Sequence, residues 1–171
     1  MPDKSTAGTG RSPAPAVFPP KATPAQSAED IDRTAVQIIV HTPGQVRGAL
    51  LAAAQAGQPV ALNSAPGAVS YLGTGYFLAM IAAARQQIPQ ASSLALLDCG
   101  RTPGFALAAL ADGATAVRLD APPAVFEKVA QIARKRGGWL FGPTSADRLD
   151  LNGVADPQAA VLALFSARKP L

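Results

Sequence analysis

The stretch Leu94-Ala-Leu-Leu-Asp-Cys-Gly-Arg-Thr-Pro-Gly104 decides the fold class. Its four leading apolar residues predict a buried β-strand, and a polar turn follows them. The Thr-Pro-Gly sequence at its end is typical of a helix start. The same three residues, Thr42-Pro43-Gly44, occur sixty positions earlier. The stretch therefore indicates a strand–turn–helix unit of the kind from which α/β domains are built.

Apolar runs and helical patterns alternate along the rest of the chain. Helices are predicted to start at Thr42, near Thr74, and at Pro103, Pro122 and Asp156, the last covering about residues 157–168. This alternation predicts an α/β three-layer sandwich with a mainly parallel sheet of about five strands, either Rossmann-like or flavodoxin-like. Residues 142–155 are predicted to be a turn-rich connector. The five predicted strands are Val36–Val40, Pro59–Asn63, Leu94–Asp98, Thr115–Leu119 and Trp139–Phe141.

Two parts of the chain are partly similar in sequence. Thr42-Pro43-Gly44 and Thr102-Pro103-Gly104 open the first and third predicted helices, and Ala65-Pro66 follows the second strand as Ala121-Pro122 follows the fourth. One interpretation is a duplicated βαβα unit. The alternative is coincidence, because Thr-Pro is a common way to begin a helix.

Two segments with different compositions divide the chain. Residues 1–34 contain six prolines and many Ala, Ser and Thr, without a period of 2 or 3.6. Such a segment is predicted to be a disordered tail, which leaves residues 35–171 as a single α/β domain. Within this domain the spacing of Phe77, Met80, Ile81 and Ala84 predicts the buried face of a helix that runs to Gln87.

The composition limits the cellular setting. Cys99 is the only cysteine, which excludes an intramolecular disulfide and fits a reducing compartment. The first 30 residues lack the apolar segment of a secretory signal, and the most apolar stretch, residues 76–84, is too short to span a bilayer. The expectation is a cytoplasmic protein that has no membrane partner.

The net charge of +4 is concentrated in the predicted domain. Residues 36–142 hold eight Lys or Arg against four Asp or Glu, whereas the flanking segments are balanced. Three of these cations, Arg134, Lys135 and Arg136, lie at a predicted helix end, where they complement the helix dipole. No basic stripe interleaved with aromatic residues accompanies them, so a nucleic-acid partner is not expected. The excess of positive charge in residues 36–142 favours a small anionic ligand.

The carboxyl ends of the strands are the expected place for a ligand, because α/β sheets bind ligands there. Helix N-termini and glycines let a phosphate or carboxylate approach the backbone, and Arg101 offers a bidentate contact. The glycine spacing matches neither a dinucleotide fingerprint nor a P-loop, so no cofactor is indicated. The predicted ligand-binding residues are Thr42, Asn63, Ser64, Gly67, Arg101, Thr102, Gly104 and Asp120.

A thiol-dependent enzyme is one alternative. Cys99 lies in a strand-to-helix turn near Arg101, where its pKa is expected to fall. The first and third strands are expected to be neighbours, as is common in doubly wound sheets, so His41 would act as the base and Asp98 or Asp120 would orient it. Metal binding is not predicted, because one His and one Cys supply too few ligands for zinc.

A non-catalytic interaction or regulatory module is the other alternative. Its alanine-rich helices would form a surface for a homo-oligomer, and its tail would act as a tether. The ligand-binding hypothesis and the interaction-module hypothesis predict different arrangements at the carboxyl ends of the strands. Convergence in one concave site favours ligand binding, whereas an edge filled by hydrogen bonds to the backbone favours the interaction module. The residues that decide are His41, Ser64, Asp98, Cys99 and Arg101.

Overall fold

The computed structural model describes residues 28–144 and 147–168. The strands of this part of the chain are β1 (Val36–Ile39), β2 (Val60–Asn63), β3 (Ser93–Asp98), β4 (Ala116–Arg118), β5 (Trp139–Phe141) and β6 (Arg148–Asp150). The helices are α1 (Ala28–Thr34), α2 (Pro43–Ala56), α3 (Val69–Leu72), α4 (Thr74–Gln87), α5 (Pro103–Ala111), α6 (Pro123–Lys135) and α7 (Pro157–Ala167).

All six strands form one parallel sheet with the order β5-β4-β3-β2-β1-β6. The first five strands follow one another across the sheet, and β6 lies on the outer side of β1. Ile39 is therefore opposite Asn63 on one side and Asp150 on the other. The predicted α/β class with a parallel sheet flanked by helices is confirmed.

The larger core lies between the sheet and one layer of helices. Strands β1 to β5 step across the sheet in one direction, so right-handed crossovers place α2, α4, α5 and α6 on the same face. Helix α7 packs against α2 in this layer. The side chains at the centre of this core are fully buried, among them Ile38, Leu50, Leu62, Phe77, Ile81 and Leu97.

The opposite face of the sheet carries a second, smaller core. Helix α1 packs there against β2 and β3. Leu94 and Leu96 are buried in this core, and Ile31 of α1 and Trp139 of β5 pack against them while remaining partly exposed. Helix α1 is thus the third layer of the sandwich.

The start of α2 has the predicted capping box. The Gln45 N–H donates to Thr42 Oγ1 at 3.3 Å, and the Thr42 N–H donates back to Gln45 Oε1 at 3.3 Å. Gly57 ends the helix with a positive φ of 62°. Thr102 precedes α5 in the same sequence context, yet its side chain makes no capping hydrogen bond. Two identical tripeptides therefore begin their helices in different ways.

Two assignments made from the sequence need correction. Residues 28–34 form α1, although the sequence analysis placed them in the tail, and residues 1–27 lie outside the described part. Seven residues are too few to show a clear helical period, and none of them is fully buried. Residues 148–150 form β6 within the predicted connector. With Arg148 and Asp150 flanking a single leucine, this strand lacks an apolar pattern.

Within the described ranges, no helix has both the length and the apolar character that crossing a bilayer requires.

Candidate functional site

The predicted thiol site is not assembled. Cys99 is only 1% exposed, and its Sγ donates to the Leu97 carbonyl at 3.7 Å. Burial, and then the nearby Asp98 carboxylate, raise the pKa of the Cys99 thiol to about 12. The expectation that the first and third strands are neighbours is wrong, because β2 lies between β1 and β3. His41 instead contacts Asp150, on the other side of β1.

Cys99 is expected to be unreactive in the folded protein. Because only the thiolate is alkylated, iodoacetamide labelling near pH 7.5 should be at least about 1000-fold slower than labelling of a free thiol of pKa 8.5. Mass spectrometry over time measures the rate. The same chain in urea is the control and should label at the ordinary rate. Native labelling as fast as that of glutathione would contradict the burial of this thiol.

The strand order reverses between β1 and β6, and side chains bridge the two strands at their carboxyl ends. His41 Nε2 lies 2.7 Å from Asp150 Oδ1, and Gln45 Nε2 donates to the Leu151 carbonyl at 2.7 Å. Partial burial acts to raise the pKa of Asp150, but hydrogen bonds from the Asn152 N–H and from His41 outweigh it and lower that pKa. His41 therefore links the carboxyl ends of β1 and β6 through its contact with Asp150.

Asp98 and Ser64 join two loops to each other. Asp98 Oδ1 accepts hydrogen bonds from the Gly67 N–H at 2.8 Å and the Gly100 N–H at 2.9 Å, and the Asp98 N–H donates to Ser64 Oγ at 2.9 Å. Both glycines have a positive φ, of 65° and 56°. A Cβ on Gly100 would lie 3.4 Å from the Gly67 Cα. Glycine is favoured at both positions because other residues are strained in this left-handed conformation.

A cleft of about 220 Å³ opens beside these loops, at the carboxyl ends of β3 and β4. Its lining comes from the last residues of β3 and β4, the loops that follow β2, β3 and β4, the chain after β5, and the first residue of β6. Three of its side chains are guanidinium groups and two are carboxylates. The lining residues are Pro66, Asp98, Gly100, Arg101, Arg118, Asp120, Pro143, Thr144 and Arg148.

Arg118 is the most buried of the three arginines, with a side chain only 5% exposed. Its Nη1 donates to the Gly142 carbonyl at 2.6 Å, and its Nη2 donates to Asp32 Oδ1 at 2.9 Å. Nε of Arg118 and Nη1 of Arg148 are both buried and have no hydrogen-bond partner among residues 28–144 and 147–168. Buried donors are normally paired, so two unpaired guanidinium nitrogens on residues that line one cleft require an explanation.

Arg101 and Asp120, which also line the cleft, form a longer and more exposed ion pair than Arg118 and Asp32. Arg101 Nε lies 3.8 Å from Asp120 Oδ2, and the two side chains are 87% and 60% exposed. An exposed pair at this distance contributes little to stability. The Arg101 guanidinium is consequently free to turn toward a bound ligand.

Only part of the predicted set lies in this cleft. Asp98, Arg101 and Asp120 line it, whereas the predicted constellation with His41, Ser64 and Cys99 does not converge. Gly67 borders the cleft through its bond to Asp98. The remaining predicted residues, Thr42, Asn63, Thr102 and Gly104, are not among the lining residues.

Asn63 lies under α1, in a chain of hydrogen bonds that reaches Arg118 through Gln37 and Asp32. Its Nδ2 donates to Gln37 Oε1 at 2.9 Å, and Gln37 Nε2 donates to the Asp32 carbonyl at 2.7 Å. Asn63 Oδ1 is a third buried atom that has no partner in the described part of the chain. Because Asn63 is only 1% exposed, it acts as an internal link between β1 and β2.

The sequence analysis missed Arg118 and Arg148. Arg118 carried a usable signal, since a guanidinium in an otherwise apolar predicted strand must find an anion or a polar cavity. Arg148 carried none, because its strand was read as connector. Among the described residues, no group of three or more His, Cys, Asp or Glu side chains is placed to hold a metal ion.

No protein-family model and no curated protein matches this chain significantly, so the geometry alone indicates a function.

Proposed function

We propose that the protein binds a small anion, with a phosphate or carboxylate group, in the cleft between Arg101, Arg118 and Arg148. The observation that carries the proposal is that two arginines lining one cleft each have a buried guanidinium nitrogen, Arg118 Nε and Arg148 Nη1, with no partner among the described residues. Charge-assisted hydrogen bonds to an anionic oxygen would satisfy them, and such bonds are roughly twice as strong as neutral ones.

The size of the cleft restricts the ligand. Pockets for drug-sized ligands measure about 300–1,000 Å³, so about 220 Å³ suits a small metabolite better than a nucleotide. The absence of both nucleotide-binding glycine motifs from the sequence agrees with this. Asp120, at the mouth, offers an acceptor for a hydroxyl group of the ligand. The proposal includes a cytoplasmic location, which the free Cys99 thiol supports.

Arg101→Ala is expected to weaken anion binding about 10-fold, because it removes one charge-assisted hydrogen bond from an exposed position. Calorimetric titration with inorganic phosphate and with small mono- and dicarboxylates measures the change. The fold should be unaffected, since the Arg101 side chain is 87% exposed and its ion-pair partner among the described residues, Asp120, is 3.8 Å away.

Arg134→Ala is the matched control. It removes the same charge from α6, where Arg134 pairs with Glu127 outside the cleft. Because salt screens the attraction between an anion and exposed cations, the titrations are run at constant ionic strength. The proposal fails if no anion of the panel binds, or if the two variants bind equally well.

A non-catalytic interaction module is the second candidate, and one observation favours it. His41, Ser64 and Asp98 are already engaged in internal hydrogen bonds, as expected for a filled edge. Tyr71 and Tyr76 are 70% and 52% exposed at neighbouring helices. Sedimentation velocity over a range of concentrations tests for the homo-oligomer that this candidate requires, and a monomer at every concentration excludes it.

A further inference from the structure

We infer that α1 is an internal competitor of the proposed ligand: an anion that binds Arg118 displaces Asp32 and releases α1 from the sheet. This inference rests on the proposed function, because it concerns how the same cleft is regulated. It follows from how the three nitrogens of one guanidinium are used.

Of the two neighbouring nitrogens Nε and Nη2 of Arg118, only Nη2 has a hydrogen-bond partner among the described residues. Nε and Nη2 lie on the same side of a guanidinium, and together they bind two oxygens of one carboxylate or phosphate. Asp32 Oδ1 takes Nη2 at 2.9 Å, while Nε remains unpaired among the described residues. One N–H of Nη1 donates to the Gly142 carbonyl at 2.6 Å. A bidentate anion on Nε and Nη2 therefore competes with Asp32 for Nη2.

Few other contacts hold α1 in place. None of its seven residues is fully buried, and Ala28 and Ile31 are only partly buried against the smaller core. A helix of this length is not stable by itself in water. Apart from its ion pair with Arg118, Asp32 accepts hydrogen bonds from Gln37 Nε2, at 2.7 Å to its carbonyl oxygen and at 3.4 Å to Oδ1. The Thr34 carbonyl accepts a bond from Arg168 Nη1 at 3.1 Å. Loss of the Arg118 contact therefore removes the one ion pair between α1 and the sheet among the described residues.

Coupling of this kind is reciprocal. If the anion weakens the docking of α1, the removal of Asp32 from Arg118 must strengthen anion binding by the same factor. The chain also contains its own reporter, because Trp139 is the only tryptophan and packs in the core that α1 covers. Release of α1 should expose Trp139 to water.

Asp32→Asn is the test variant. It removes the competing charge, so we expect inorganic phosphate to bind about 10-fold more tightly than to the wild type. Trp139 fluorescence in the wild type should shift to longer wavelength and saturate as phosphate is added. In the variant the emission should already be shifted before phosphate is added.

Asp30→Asn is the matched control on the same helix. Asp30 pairs with Arg33 at the surface, so this variant removes the same charge without touching Arg118, and its phosphate affinity should equal that of the wild type. Hydrogen exchange of the wild-type amides of residues 28–34 supplies a readout that needs no variant. Their protection should fall when phosphate binds.

The outcomes separate the two proposals. If phosphate binds but Asp32→Asn leaves its affinity unchanged, or if phosphate increases the protection of residues 28–34, the competition is overturned and the binding function stands. If phosphate binds neither the wild type nor the variant, the binding site itself is refuted for phosphate, and the competition is refuted with it.

Discussion

Phe77→Ala is expected to lower the free energy of unfolding by about 3–5 kcal/mol, the range for deletion of a buried aromatic ring. Phe77 is 0% exposed and lies in the larger core, on the face of α4 that packs toward α2 and the sheet. The loss combines the apolar area that alanine no longer buries with the cavity that the ring leaves. Urea unfolding followed by circular dichroism measures the change.

Tyr76→Ala is the control for Phe77→Ala. Its side chain is the next along the chain and also aromatic, but it is 52% exposed. We expect a loss below about 1 kcal/mol, as for substitutions at exposed positions. Equal losses for the two variants would show that Phe77 does not lie at the centre of the core.

Gly48→Ala is expected to destabilise the protein by about 1–3 kcal/mol, through overpacking between α2 and α7. A Cβ at Gly48 would lie 2.7 Å from the Cβ of Pro157 and 3.1 Å from the backbone nitrogen of Gln158. The neighbouring atoms belong to a proline ring and to backbone, which cannot turn away as a flexible side chain would. The two helices must therefore separate. Thermal and urea unfolding both measure this loss.

Gly44→Ala, in the same helix, should have the opposite sign. The nearest atom to a Cβ at Gly44 is Thr42 Oγ1, at 3.9 Å, so alanine fits without displacing a neighbour. Alanine has the higher helix propensity and should stabilise α2 by up to about 1 kcal/mol. A gain at both glycines would contradict the close approach of α7 to Gly48.

The elements that could be predicted are those whose signals are local. The capping box at Thr42 and Gln45, the helix Thr74–Gln87 and the strand Trp139–Phe141 are all present as predicted. Each depends on residues a few positions apart, so propensity and periodicity suffice to find it. The α/β class follows from their alternation.

The features that could not be predicted depend on partners far away in the chain. Strand β6 forms because Arg148 and its neighbours pair with β1, and no pattern within three residues shows this. Helix α1 is held by Asp32, whose partner Arg118 lies 86 positions further on. The predicted neighbourhood of His41 and Cys99 failed for the same reason, because strand order is a property of the whole sheet.

The residues of the candidate site also divide into those with a local sequence signal and those whose position depends on distant parts of the chain. Asp98, Arg101 and Asp120 were found because polar residues after apolar strands are visible in the sequence, and all three line the cleft. Arg118 and Arg148 were missed because their position in the cleft depends on which face of the sheet they occupy. For Arg118 the usable signal was its position as a charged residue inside an otherwise apolar predicted strand.

The position of β6 has a consequence for how the chain reaches its native state. Gln37 pairs with Arg148, which is 148 − 37 = 111 positions away. During synthesis β1 to β5 can pair in the order in which they emerge, but the outer edge of β1 has to wait for almost the whole chain. Until then its N–H and C=O groups form an open edge, to which a strand of another chain can add. Nascent chains that stop before residue 148 should therefore be the species most dependent on chaperones.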